Sequence, residues 1–149
     1  RAAILGVGLG MPGPVDSSKG VVHFLPNIAG WKNVELKKIL ERKTGLPVVI
    51  DNDAKLMALA EHKAGSAAGY ENAICLTLGT GVGGGLIING SLYRGRDNAA
   101  GEFGHFPINE SGPLCGCGAH ACLEAYIGNA ANDKAGPWGH RNPGCRQCA

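Results

Sequence analysis

The sequence lacks both a long apolar run and an excess of charge of one sign. Although 44% of its 149 residues are hydrophobic, no stretch approaches the ~18 consecutive apolar residues that a membrane-spanning helix needs. The formal net charge is +2, and three basic residues against one acidic residue place all of that excess in residues 132–149. Residues 1–131 are therefore neutral. These absences exclude a membrane-spanning helix and the basic surface that is typical of nucleic-acid-binding proteins.

The six cysteines are the next feature, and nothing in the sequence points to secretion, so a disulfide framework is not the first interpretation. Cys115, Cys117 and Cys122 follow His105 closely in the stretch GEFGHFPINESGPLCGCGAHACLEAYIG, residues 101–128. One imidazole and three thiolates form a standard structural zinc site, although Cys-x-Cys is tighter than the usual spacing. A disulfide within this cluster stays an alternative.

Strand-like and helix-like patterns alternate along the chain, which predicts an α/β fold. The predicted strands cover residues 2–10, 20–25, 46–53, 72–80 and 84–90. The predicted helices cover residues 33–42, 53–65 and 121–131. Asn33 is the expected N-cap of the first helix, and a glycine follows each of the first two. Residues 132–149 have no periodicity and are rich in Gly, Pro and charge, so we expect an irregular, non-native tail.

A glycine-rich stretch, GTGVGG at residues 79–84, matches the pattern GxGxxG. A dinucleotide-binding turn requires a helix after the glycines, whereas a strand pattern follows here, so that interpretation fails. Two alternatives remain: a plain hairpin turn, or a turn whose backbone amides and Thr80 hydroxyl hold a phosphate. Five glycines within seven residues exceed what a hairpin needs, and this favours phosphate.

Polar residues end the apolar run in VVIDNDA, residues 48–54. Ligands gather at the carboxyl ends of strands in open α/β sheets, so Asn52 and Asp53 are candidate site residues. The alternative is that one of them only caps the following helix. A carboxylate at this position could take a proton from a hydroxyl group.

Taken in order, MPGPVD, VVIDNDA, LTLGTGVGGGLIING and AGEFGH…CGCGAHACLE resemble the blocks of the ROK family (repressors, open reading frames and sugar kinases). The resemblance covers residues 3–131 and implies an α/β, actin-like (ribonuclease H-like) ATPase fold that is incomplete at both ends. It implies that residues 1–64 are part of a small N-terminal lobe. Residues 65–131 would be part of a large lobe with a zinc-binding loop, and the chain would be an internal fragment.

The resemblance also implies roles for individual residues. Asp53 would be the catalytic base. Residues that would bind the sugar are Gly13, Asn52, Glu102, His105 and Glu124. Residues that would bind the nucleotide phosphates are Gly79, Thr80, Gly81 and Gly83. Residues that would bind a structural zinc ion are His105, Cys115, Cys117 and Cys122. Mg²⁺ would accompany ATP. One departure from the family pattern is Ala121, where the family has glycine.

The function implied is ATP-dependent phosphorylation of a hexose or N-acetylhexosamine at O6, as in a cytoplasmic, glucokinase-like enzyme that forms a homo-oligomer at full length. This chain alone is expected to be inactive. A sugar-responsive repressor of the same family is the alternative, and only in that case is nucleic acid an expected partner. A zinc-binding interaction module is a third possibility, but it would not need Asn52, Asp53 or the glycine turn.

Overall fold

The computed structural model describes residues 3–25, 28 and 30–128. Contacts within the chain define two compact units. The first contains the residues up to Cys75 together with Gly85–Gly101, and the second contains Leu76–Gly84 and the residues from Glu102 onward. The predicted irregular tail and the end of the third predicted helix lie outside the described residues. The predicted boundary between parts of two lobes at residue 64 stays a prediction.

The first unit is built on a parallel pair of strands, β1 (Val7–Met11) and β4 (Val48–Asn52), in a register that pairs Met11 with Asn52. A short antiparallel pair, β2 (Val15–Asp16) and β3 (Val21–Val22), lies between them in sequence. The helices are α1 (Leu36–Thr44) and α2 (Asp53–Ala64). A core of buried aliphatic side chains joins β2, β3, β4 and α1: Val15, Val22, Leu25, Leu36, Val48 and Ile50.

A three-stranded sheet follows, in the order β5 (Ala73–Leu78), β6 (Val82–Ile88) and β7 (Ser91–Tyr93). Strands β6 and β7 are antiparallel, and both residues of the Asn89-Gly90 turn between them have positive φ, as a tight hairpin requires. The second unit, which contains residues 76–84 of this region, also has a 3₁₀ turn at Phe103–His105. Its described part ends with a short helix, α3 (Glu124–Ile127).

The start of α1 differs from the sequence-based expectation. The helix begins at Leu36, because Asn33 has φ +50° and its Oδ1 lies 2.8 Å from Nδ1 of His23 instead of capping the helix. The end was predicted correctly, since Gly45 is left-handed and donates its N–H to the carbonyl of Glu41. Helix α2 matches its predicted span to within one residue.

Strand β3 is much shorter than predicted, since within residues 20–25 it covers only Val21–Val22, and Leu25 forms an isolated bridge. The backbone N–H of His23 donates to the carbonyl of Pro14, and that of Asn33 donates to the carbonyl of His23. These two backbone hydrogen bonds take the place of a longer pairing between strands. Among the described residues, no helix is both long and apolar enough to cross a membrane.

Candidate active site and metal cluster

The junction of β4 and α2 carries the first group of predicted site residues. Asn52 is the N-cap of α2, where its Oδ1 accepts from the backbone N–H of Lys55 at 3.1 Å. Its Nδ2 donates to the carbonyl of Gly13 at 3.1 Å. Gly13 has φ +82°, a left-handed conformation that suits glycine in the turn between two prolines. The structure therefore brings the predicted sugar ligands Gly13 and Asn52 together.

Asp53 is exposed and is the first residue of α2, so it is not the residue that caps the helix. Its Oδ1 accepts from the adjacent backbone N–H of Ala54 at 2.9 Å. Within the described part of the chain, Oδ2 has no hydrogen-bond partner. This geometry leaves one carboxylate oxygen open to a hydroxyl group, as a general base requires.

Sequence reasoning missed Asp51, the residue just before this pair. Asp51 is 3% exposed, and its Oδ2 accepts from Nη2 of Arg94 at 2.6 Å and from Nε at 3.2 Å. Its Oδ1 accepts from the backbone N–H of Asn52 at 2.8 Å. Lys55, also 3% exposed, donates from Nζ to the carbonyl of Asn98. These two contacts hold residues 94–98 against the β4–α2 junction.

The second unit holds the predicted zinc ligands. One donor atom from each of His105, Cys115, Cys117 and Cys122 lies within 4.8 Å of all the others. Nδ1 of His105 is 3.7 Å from Sγ of Cys115, and the sulfurs of Cys117 and Cys122 are 3.8 Å apart. Ligands arranged tetrahedrally at the usual Zn–S distance are separated by about 3.8 Å. The donor set therefore fits a tetrahedral cation of the size of Zn²⁺.

Backbone contacts bring these four residues together. The 3₁₀ turn ends at His105, and a bridge between Pro107 and Cys122 places the last cysteine beside it. Between them, Cys115 and Gly118 close a tight turn in which Gly118 has φ +91°. Ala121, buried and at φ +58°, occupies a left-handed position, which gives a physical reason for the glycine of the family pattern.

The disulfide alternative does not fit this arrangement. All four cysteines of the described residues are free thiols, and the 3.8 Å between Cys117 and Cys122 far exceeds the ~2.05 Å of a disulfide bond. Burial raises the pKa of the Cys115 thiol to about 12, whereas the backbone N–H of Ala119 lowers the pKa of Cys117. Since metal ligands must be thiolates, binding of a cation here would release protons.

Glu124 lies beside the cluster and reaches the glycine turn. Its Oε1 is 3.6 Å from Sγ of Cys115 and 4.0 Å from Nδ1 of His105. Its Oε2 accepts from the backbone N–H of Val82 at 2.9 Å. Glu102, the other predicted carboxylate of this unit, is exposed and directly precedes the 3₁₀ turn without a side-chain cap bond.

The glycine turn offers backbone donors. Gly79 donates its N–H to the carbonyl of Gly81 at 3.0 Å, which closes the turn. The amides of Thr80 and Gly81 have no partner among the residues that the structure describes, and Thr80 is exposed. Gly83 lies within β6. Two adjacent free amides and a hydroxyl group form the kind of concave donor set that binds anions.

The predicted site residues thus form two sets. The first unit contains Gly13, Asn52 and Asp53. The second unit contains the four cluster residues, Glu102, Glu124 and the glycine turn. Within each unit, the structure brings together residues that are far apart in sequence.

Comparisons with known proteins show the family to which the chain belongs. A model described as the ROK family matches residues 1–140. A glucokinase of Streptomyces coelicolor is 46% identical over 128 residues, which are 86% of this chain and 40% of that protein. A xylose repressor of Caldicellulosiruptor bescii is 41% identical over 86% of this chain and 32% of that protein. The structure of a ROK family glucokinase from Streptomyces griseus, in complex with glucose and AMPPNP, matches with a TM-score of 0.77 and 45% identity, over 87% of this chain and 41% of that one.

These matches confirm the predicted fold class, an actin-like (ribonuclease H-like) ATPase fold of mixed helices and strands. The family match extends past residue 131, where the resemblance by motifs ends. The chain spans about 40% of the length of the curated glucokinases that it matches.

Proposed function

Since the chain belongs to the ROK family, we propose that it is part of an ATP-dependent sugar kinase that phosphorylates a hexose or an N-acetylhexosamine at O6. One observation supports this above the others. Asn52 caps α2, which leaves the carboxylate of Asp53 exposed at the carboxyl end of β4. Because Asn52 already caps the helix, capping does not account for Asp53.

In the proposed reaction, Asp53 accepts the proton of the sugar O6 hydroxyl group. The oxygen forms a bond to the γ-phosphorus of ATP while the bond to the β,γ-bridging oxygen breaks, and ADP leaves with that electron pair. Such transfers depend on positioning and on charge stabilisation more than on covalent chemistry. The free amides of Thr80 and Gly81 would donate to phosphate oxygens. Mg²⁺ bound with ATP would neutralise part of the phosphate charge.

The cluster of His105, Cys115, Cys117 and Cys122 would hold a zinc ion. Four protein ligands leave no open position, so the metal would supply structure and not a reactive water. We assign sugar hydroxyl contacts to Glu102, His105 and Glu124, and to Gly13 and Asn52, on the basis of the family motifs. A cytoplasmic location and a homo-oligomeric state belong to the same proposal.

The proposal is tested by Asp53→Asn in a longer chain that supplies the remaining length of the kinase relatives. Asparagine has nearly the same size and can hydrogen-bond a hydroxyl group, but it cannot act as a base. We expect kcat to fall by ~10²–10⁴-fold with little change in the sugar KM. Glu102→Gln is the matched control and should mainly raise the sugar KM, because it removes a charge-assisted hydrogen bond. A near wild-type kcat in Asp53→Asn would contradict the assignment.

A repressor is the second candidate, because a xylose repressor is 41% identical over 86% of this chain. The sequence encoded upstream distinguishes the two. An Asp-x-Gly-Gly hairpin close to the start of the full protein indicates a kinase, whereas a helix-turn-helix indicates a repressor. The exposed Asp53 and the glycine turn support the kinase.

A further inference from the structure

The carboxylate of Glu124 joins two features that the family motifs treat separately, the metal cluster and the glycine turn. Its two oxygens have different neighbours. Oε2 accepts from the backbone N–H of Val82 at 2.9 Å, and Oε1 lies 3.6 Å from Sγ of Cys115. Glu124 also begins α3 only two residues after the metal ligand Cys122. A shift of the cluster therefore reaches this carboxylate through both chain connectivity and side-chain contact.

The glycine turn is shaped to receive this carboxylate. A Cβ atom at Gly81 would lie 2.4 Å from Oε2 of Glu124, so a side chain at this position would displace the carboxylate from where it bonds Val82. Val82 is buried, at 5% exposure. A buried backbone N–H without a partner is costly, and the Glu124 oxygen is the side-chain acceptor that this amide has within the described residues.

The bond to Val82 also determines which amides of the turn are available. Gly79 is bonded to the carbonyl of Gly81, and Val82 is bonded to Glu124. Between these two fixed points, the amides of Thr80 and Gly81 are free. Because Gly79 and Val82 are both held by hydrogen bonds, the two residues between them have a fixed orientation, and so do their free amides.

We propose that Glu124 is a positioning residue that transmits the state of the metal cluster to the glycine turn. With a zinc ion bound, the cluster residues fix the start of α3, and Glu124 holds Val82 and the turn in the donor geometry. Without the metal, this restraint weakens and the turn loses its order. The link to phosphate binding rests on the proposed function, whereas the coupling between cluster and turn does not.

The test uses hydrogen exchange of individual amides, measured by NMR on the zinc-loaded 149-residue chain. In the wild type, chelation of zinc should reduce the protection of the Val82 amide by roughly 10- to 100-fold, the range expected for a hydrogen bond to a charged group. The amide of Val34, bonded to the carbonyl of Val22 in the first unit, is the reference and should not change.

The variant Glu124→Ala separates this coupling from a general loss of structure. In the zinc-loaded variant, the Val82 amide should already have lost its protection from hydrogen exchange. The Leu123 amide, bonded to the carbonyl of Phe106, should keep its protection. About one zinc per chain should remain bound, and chelation should cause no further change at Val82.

Two outcomes would overturn the proposal. One is a Val82 amide whose protection in the wild type is the same with and without zinc. The other is loss of the metal in Glu124→Ala, which would make Glu124 a ligand and not a transmitter. Neither readout involves sugar or ATP turnover, so a failure of the coupling and a failure of the kinase assignment are distinguishable.

Discussion

At the scale of single residues, Asn52 uses both ends of its side-chain amide. The oxygen caps α2 and the nitrogen holds the carbonyl of Gly13. Asn52→Asp keeps an N-cap oxygen of equal quality but loses the donor to Gly13. We expect it to lower the free energy of unfolding by about 0.5–1.5 kcal/mol, the net value of one hydrogen bond. Asn52→Ala loses both contacts and should cost about 0.5–2 kcal/mol more. Urea unfolding of the three chains measures both differences.

Equal stability of Asn52→Asp and Asn52→Ala would show that the cap contributes nothing. Wild-type stability of Asn52→Asp would show the same for the contact with Gly13. The second result would mean that Asn52 does not stabilise the turn at Gly13.

The residues around Asn52 also show what a sequence can and cannot predict. The three polar residues at the end of an apolar run were enough to predict a site there. It did not decide which residue caps the helix, because Asn and Asp serve equally well as N-caps. Nor did it indicate Asp51, since its partner Arg94 lies 43 residues further along the chain. Pairings over such distances are set by the tertiary fold, which local patterns do not encode.

At the scale of elements, α2 packs directly on β6 at a glycine. A Cβ atom at Gly85 would lie 2.3 Å from Cβ of Ala58, which is fully buried in α2. Gly85→Ala should therefore destabilise the chain by about 1–3 kcal/mol through overpacking. Ala58→Gly alone should cost about 1 kcal/mol, the helix propensity of alanine over glycine, plus the lost methyl contact.

The double variant Gly85→Ala/Ala58→Gly is the decisive control. It moves one methyl group from the helix to the strand, so its loss of stability should be smaller than the sum of the single losses by at least ~0.5 kcal/mol. Denaturant unfolding of the wild type, the two single variants and the double variant measures this difference in a double-mutant cycle. Strict additivity would mean that the helix and the strand do not meet at this pair.

This contact changes the interpretation of the glycine count in residues 79–85. The abundance of glycine was the reason to favour phosphate binding, but Gly85 makes room for α2 and Gly81 makes room for Glu124. Among the glycines of residues 79–85 whose surroundings the structure gives, which are Gly79, Gly81 and Gly85, only Gly79 has open space around it. Composition shows that a backbone approaches something closely, but not whether that is a ligand or another element. The free amides of Thr80 and Gly81, and not the number of glycines, are what favour phosphate binding.

At the scale of the whole molecule, the proposed metal site and the proposed catalytic function make different demands on the chain. All four proposed metal ligands come from residues 105–122 and lie within one compact unit. Phosphoryl transfer instead requires that base, sugar, nucleotide and Mg²⁺ be positioned together. The chain spans about 40% of the length of the glucokinases that it matches. When this chain is prepared alone, we therefore expect it to bind zinc but not to catalyse phosphoryl transfer.

We expect the 149-residue chain, purified without added metal, to contain about one zinc by elemental analysis and to show no ATP-dependent hexose phosphorylation. Structural zinc sites have apparent binding free energies of roughly 10–16 kcal/mol at neutral pH, enough to survive purification. A coupled assay would measure ADP release in the presence of glucose or an N-acetylhexosamine. The rate should not exceed that of a blank without the protein. The zinc content of the same sample is the control, because it shows that the second unit is folded. Turnover above background would mean that the nucleotide site lies within these residues, and the glycine turn would then have to provide far more of it than two free amides.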